Sequence, residues 1–360
     1  MKKTLVILLF LLGAVFTPKV ILAQESHYQE EILEARVEKI IREGKVEGQL
    51  FQELELLVTK GSLAGEKIMV ENGNLPMSYV TQYKAGDEVV LSYSQDHEGN
   101  DSFAITDFVR RKPLLWLFGL FLLMTIVIGR FQGLSSLAGM AVSFLVIFKF
   151  ILPKISQGLN PVMVAILGSL LIIPPTFILS HGINKKTFVS IVGTAIALVI
   201  TGFLASFFVT IAKLSGFATE EAAFLQVANP GLINMQGLLL AGIIIGVLGV
   251  LDDITISQAA IVKQLREANP QLKAVELYQK AMSVGKDHIA SMVNTLVLVY
   301  TGAALPLMLL FVGSPRPFSE VVNYEIIAAE IVRTLVGSIG LILAVPITTL
   351  LAAWVTKKSL

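Results

Sequence analysis

The chain changes texture at residue 113. Before it, apolar and polar residues alternate in short stretches; after it come long runs without Lys, Arg, Asp or Glu. Leu33, Ala35 and Val37 sit two apart, as do Leu54, Leu56 and Val58. Ile68 with Val70, Val89 with Leu91 and Tyr93, and Phe103 with Ile105 repeat that spacing. A period of two puts every second side chain on one face of a strand, so residues 24–112 are predicted to hold five half-buried strands. Gly61, Gly73, Gly86-Asp87 and Gly99-Asn100-Asp101 punctuate them as turns. Short strands in so small a segment suit a closed barrel, OB-like by strand number.

The uncharged runs beyond Pro113 are 113–129, 131–148, 155–184, 187–212, 222–251, 289–315 and 334–356. Each approaches or exceeds the roughly 20 residues that cross about 30 Å of hydrocarbon. The expectation is an α-helical polytopic membrane protein of about seven transmembrane helices behind the small β domain. Pro174-Pro175 falls in the middle of the third run, and Pro306 and Pro346 fall within the last two. Proline removes a helical hydrogen bond, so Pro174 and Pro175 are expected to break their helix, as in transporters built on broken spans.

The segment 252–288 reads as a cytoplasmic helical loop. Asn269 is placed to cap, Pro270 to start and Gly285 to stop its second piece, in which Leu272, Val275, Tyr278 and Met282 recur at helical spacing. At the other end, Lys2 and Lys3 precede the apolar stretch Thr4–Phe16, and Ile21-Leu22-Ala23 follows. Residues 1–23 are therefore expected to be a signal peptide or an N-terminal anchor, which puts residues 24–112 outside the cytoplasm. Arg130, Lys185, Lys186, the 252–288 loop and Lys357-Lys358 then lie inside. That side carries the larger share of Lys and Arg, as the positive-inside rule requires.

Composition narrows the function. Apolar residues make up 54% of the chain and charged ones 15%, well below the share usual in soluble globules. A net charge of +1 gives no electrostatic case for nucleic acid. With no cysteine there is no disulfide framework and no thiol nucleophile. The sequence holds no metalloprotease, nucleophile-elbow or phosphate-loop motif, so neither a catalytic residue nor a cofactor is expected. His97 lies in the turn Asp96-His97-Glu98 and reads as a solvated loop tip.

One stretch breaks the apolar pattern. Residues 222–251 are uncharged, and then Asp252 and Asp253 stand side by side. A carboxylate in or at a bilayer is costly and marks function by default. Gly242, Gly246 and Gly249 make a smooth row suited to close helix packing. Asp253 continues that row, which makes it the inward-facing acid of the pair. Asp287, His288 and Asn294 open the next span and reach the same side, as does His181. Together these groups suit a proton relay, or with neighbouring hydroxyls a site for Na⁺ or another metal ion. Two readings compete: an ion-coupled transporter or permease, and a non-transporting assembly or sensing protein whose β domain binds an extracytoplasmic partner. The bilayer is the expected partner in both, with a second copy or a paralogous membrane protein beside it.

Two stretches resemble the YibE/F family of multi-pass bacterial membrane proteins. They are Leu248-Gly-Val-Leu-Asp-Asp-Ile-Thr-Ile-Ser-Gln-Ala-Ala260 and Val284-Gly-Lys-Asp-His-Ile-Ala290, the latter continuing through Asn294-Thr-Leu-Val-Leu-Val-Tyr300. The resemblance covers most of the chain from about residue 113. It implies a polytopic protein of the bacterial cell membrane with an N-terminal extracytoplasmic part. A looser likeness is to the resistance-nodulation-division exporters, whose relay helix also carries a glycine before an Asp-Asp pair. That likeness implies a helix continuing past Asp253 through Gln258-Ala-Ala.

Overall fold

Alternation in the N-terminal segment becomes a curled five-stranded sheet. A computed structural model describes residues 30–46, 49–73, 80–95, 100–313 and 315–357; residues 1–23, His97 and Gly99 lie outside these. Two compact units result, Pro18–Met124 and a second that holds Thr125–Leu360.

In the first unit the strands are β1 (Glu31–Val46), β2 (Gln49–Lys60), β3 (Lys67–Asn72), β4 (Glu88–Gln95) and β5 (Asp101–Phe108). All neighbours are antiparallel, in the order β3-β2-β1-β4-β5. The register of β1 against β2 shifts three times, after Glu34, Val37 and Ile40. Such bulges bend and coil a strand, and the edge strands β3 and β5 approach each other. The enclosed core is the alternating set: Leu33, Ala35, Leu54, Leu56, Val89 and Leu91 are wholly buried. Each of the leucines and Val89 contributes about 1.5–3 kcal/mol through burial. Gln52, also wholly buried, donates from Nε2 to Tyr83 O (3.0 Å) and accepts from Tyr83 N (2.9 Å), standing in for a strand partner.

The second unit is helical. Its elements are α1 (Arg111–Ser156, which begins in the first unit), α2 (Pro161–His181), α3 (Lys185–Ile211), α4 (Glu220–Ala228), α5 (Met235–Ala268), α6 (Ala274–Ala303), α7 (Leu305–Val312), α8 (Phe318–Val321) and α9 (Glu325–Lys357). Five of these helices are long and apolar enough to cross a membrane, and the bent pair α6–α7 makes a sixth. The first two uncharged runs merge into α1 because only Arg130 separates them. At Arg130 (φ 48°, ψ −128°) the helix turns sharply. A Cβ on Gly133 would lie 2.1 Å from Thr125 O, two positions about 12 Å apart along a straight helix.

Helix α5 is the hub, packed against α2, α3, α6 and α9. Small residues let the helices close up. A Cβ on Gly193 of α3 would be 2.5 Å from Thr348 Oγ1 of α9, and one on Gly340 of α9 would be 2.2 Å from Thr201 Oγ1 of α3. A Cβ on Gly285 of α6 would be 2.7 Å from Val345 Cγ1 of α9.

Several expectations change here. Gly285 does not stop a helix but sits buried inside α6. The 252–288 loop shrinks to residues 269–273, because α5 runs on to Ala268 and α6 begins at Ala274. Asn269 ends α5 rather than capping α6. Pro174 and Pro175 do not break α2, which is helical from Pro161 to His181. Thr176 Oγ1 donates to Ile172 O and Ile173 O (both 2.9 Å), tying that turn together. Pro346 likewise lies within an unbroken α9, whereas Pro306 follows a 70° bend between α6 and α7.

Candidate functional site

Asp252 and Asp253 lie midway along α5, not at its end. Residues 235–262 contain no other charged group. The helix carries its two acids into the apolar unit because Ile254-Thr-Ile-Ser-Gln-Ala-Ala-Ile-Val262 continues the uncharged sequence beyond them.

Their exposures reverse the expected order. Asp253 is exposed, whereas Asp252 is half-buried, with Oδ1 fully enclosed and without a hydrogen-bond partner among the described residues. The glycine row accounts for the reversal. Gly242, Gly246 and Gly249 are exposed, and a Cβ on Gly242 or Gly249 would meet nothing within 4 Å among the described residues. Only Gly246 faces a neighbour, the Tyr300 hydroxyl of α6, 3.3 Å from a Cβ there. The row is thus the open side of α5, and Asp253 points the same way.

A cavity of about 220 Å³ lies between α2 and α5. From α5 it is lined by Gly249, Asp252, Asp253 and Ile256, and from α2 by Thr176, Phe177, Ser180 and His181. Helix periodicity explains the α2 side, since Thr176, Phe177, Ser180 and His181 fall on one stripe at spacings of three and four. Asp253 and Lys186 both lie within Coulombic reach of the His181 imidazole. Gly249, without a side chain, leaves the cavity open beside Asp252. Behind Asp252, the buried side of α5 is also polar. Thr255 and Thr194 share a hydrogen bond between hydroxyls (2.7 Å), Ser190 Oγ donates to Thr255 O (3.3 Å), and Gln258 Nε2 donates to Ala281 O of α6 (2.9 Å).

Of the residues expected to gather, His181 joins the aspartates and the α6 group does not. Asp287 and Asn294 are exposed, and His288 is half-buried with Nδ1 enclosed and unpartnered among the described residues. Among the described residues, no hydrogen bond or ion pair joins Asp252 or Asp253 to Asp287, His288 or Asn294, and none of the three lines the cavity. Thr176 and Ser180 went unnoticed in the sequence; their i, i+4 spacing ahead of His181 was the available signal. No three His, Asp or Glu side chains among the described residues converge to hold a metal ion. What the arrangement can do is present one enclosed carboxylate oxygen to a proton or a monovalent cation, beside an imidazole and hydroxyls.

A family model described as "YibE/F-like protein" matches residues 117–358, from early in α1 to the end of α9. A search of curated proteins and a search of solved structures each returned no match.

Proposed function

Since the chain belongs to the YibE/F family, we propose that it is an ion-coupled transporter or permease of the bacterial cell membrane, with Asp252 as the group that takes up and releases the ion. The observation that carries this reading is the enclosed, unpartnered Oδ1 of Asp252 beside a cavity shared with His181. An isolated carboxylate oxygen in an apolar unit is stabilised by binding a proton or a cation, and it costs free energy when empty. A structural carboxylate would instead carry the hydrogen bonds that Asp252 lacks among the described residues.

In this reading residues 1–23 direct export, and the β unit lies outside the cytoplasm. The strand order, with β3 near β5, supports an OB-like barrel for that unit. The turn at Arg130 supports two crossings by α1, which would bring the number of spans to seven. Exposed Ser291, Asn294 and Thr295 on α6 support a second copy or a paralogous membrane protein against that face. The assigned activity is transport and not catalysis.

The test is flux. Proteoliposomes with an imposed proton or Na⁺ gradient should pass ions faster than empty vesicles, and Asp252→Asn should abolish the difference. Ion flux through the protein that is indifferent to Asp252→Asn would remove the role assigned to this residue.

A further inference from the structure

A second cavity, of about 330 Å³, opens at the far end of α5, where it meets the start of α3 and the end of α9. Its charged rim is Lys185, Lys186, Lys263 and Arg266, against the single acid Glu267. Lys263 lies 3.6 Å from Glu267, and Arg266 Nη1 is spent on Pro270 O and Leu272 O. Lys186 has no ion pair among the described residues and lies close enough to Lys263 for the two cations to repel. Arg266 Nε is enclosed without a hydrogen-bond partner among the described residues. The α3 N-terminus adds the positive end of a 27-residue helix. The floor is apolar, made by Val189, Ala259, Ala352 and Val355.

We propose that this pocket holds the phosphate headgroup of an anionic phospholipid, its acyl chains running along the apolar wall. The shared chemistry is a phosphate among cations, which phospholipid and free phosphate both supply. Two features favour the lipid. The pocket sits at the ends of three apolar helices, the level at which headgroups are concentrated. Four of its ten lining residues are apolar, a surface that free phosphate would leave unused. Basic pockets between spans recognise headgroups in this way. The site shares no residue with the Asp252 cavity and does not depend on the transport reading.

The experiment uses the full chain, delipidated and then exposed to mixed micelles of phosphatidylglycerol and phosphatidylcholine, with retained lipid counted by native mass spectrometry. Phosphatidylglycerol should be retained in preference to phosphatidylcholine. The double variant Lys186→Gln/Lys263→Gln should lose roughly 25-fold in retention, about fivefold for each charge removed. Lys186→Arg/Lys263→Arg, which keeps both charges, should retain the lipid and guards against a folding defect. Equal retention of the two lipids, or full retention by the glutamine variant, would overturn the proposal. So would inorganic phosphate that displaces phosphatidylglycerol at equal concentration, since the occupant would then be the free anion.

Discussion

Gly340→Ala tests the close packing of α3 against α9. The added Cβ would lie 2.2 Å from Thr201 Oγ1 and 3.0 Å from its Cγ2. Thr201 cannot simply swing away, because it is wholly buried, β-branched, and donates to Ala197 O at 2.7 Å. Either the helices move apart or that hydrogen bond is lost. Overpacking costs about 1–3 kcal/mol, and a hydrogen bond between membrane helices or within one adds about 0.6 kcal/mol. Alanine recovers about 1 kcal/mol of helix propensity. The net expectation is a loss of about 0.5–2.5 kcal/mol. Gly249→Ala is the internal control. Nothing lies within 4 Å of its new Cβ, so only the propensity gain of up to about 1 kcal/mol remains. Unfolding in micelles by titration with dodecyl sulfate should therefore separate the two variants by about 1.5–3.5 kcal/mol, in opposite directions from the wild type. Thr201→Ala, placed on Gly340→Ala, removes the two nearest atoms and should restore part of the loss. Equal stability of the two glycine variants would refute the packing argument.

Other consequences follow from the same geometry. Asp252→Asn should raise thermal stability, because a half-buried group that can carry an unpaired charge is exchanged for one that cannot; a lower melting temperature in micelles would show that Asp252 has a structural partner. Gly249→Leu should fill the α2–α5 cavity, leaving folding intact by circular dichroism while blocking flux. In the β unit, Lys112 and then Arg36 hold the Glu88 carboxyl below its usual range, and Arg110 does the same to Asp107. Because the folded values are the lower ones, this stabilisation is complete above the unfolded value and is lost as pH falls through the folded one. Near-ultraviolet melting of the β unit should thus weaken on acidification, less steeply in Glu88→Gln. Leu54→Ala, in that unit's core, should cost about 2–5 kcal/mol in a denaturant titration.

The strands were legible because alternation reports burial directly: Leu33, Leu54 and Val89 were read as inward and are wholly buried. The long helices were legible from the scarcity of charge. Depth along a helix was not, since Asp252 and Asp253 look the same at the edge of a bilayer as in the middle of α5. The glycine row misled for a related reason. Gly242, Gly246 and Gly249 show that one side of α5 is smooth but not what lies against it, and choosing Asp253 as the inner acid rested on that side being buried. Prolines gave a similarly partial signal. Pro174 and Pro175 stay helical inside α2, because whether a missing N–H breaks a helix depends on its neighbours. Asp287, His288 and Asn294 were expected to open a span, yet they lie inside α6, and which side of α6 meets α5 is decided by contacts such as Gly285 against Gln258, which no spacing rule supplies.

In the proposed mechanism Asp252, and not its neighbour, carries the ion. Flux through Asp252→Asn and Asp253→Asn, measured side by side in the same proteoliposomes, tests it most directly. Loss of flux in Asp252→Asn with flux largely kept in Asp253→Asn is the predicted result. The reverse pattern, or equal flux in both, would contradict the account.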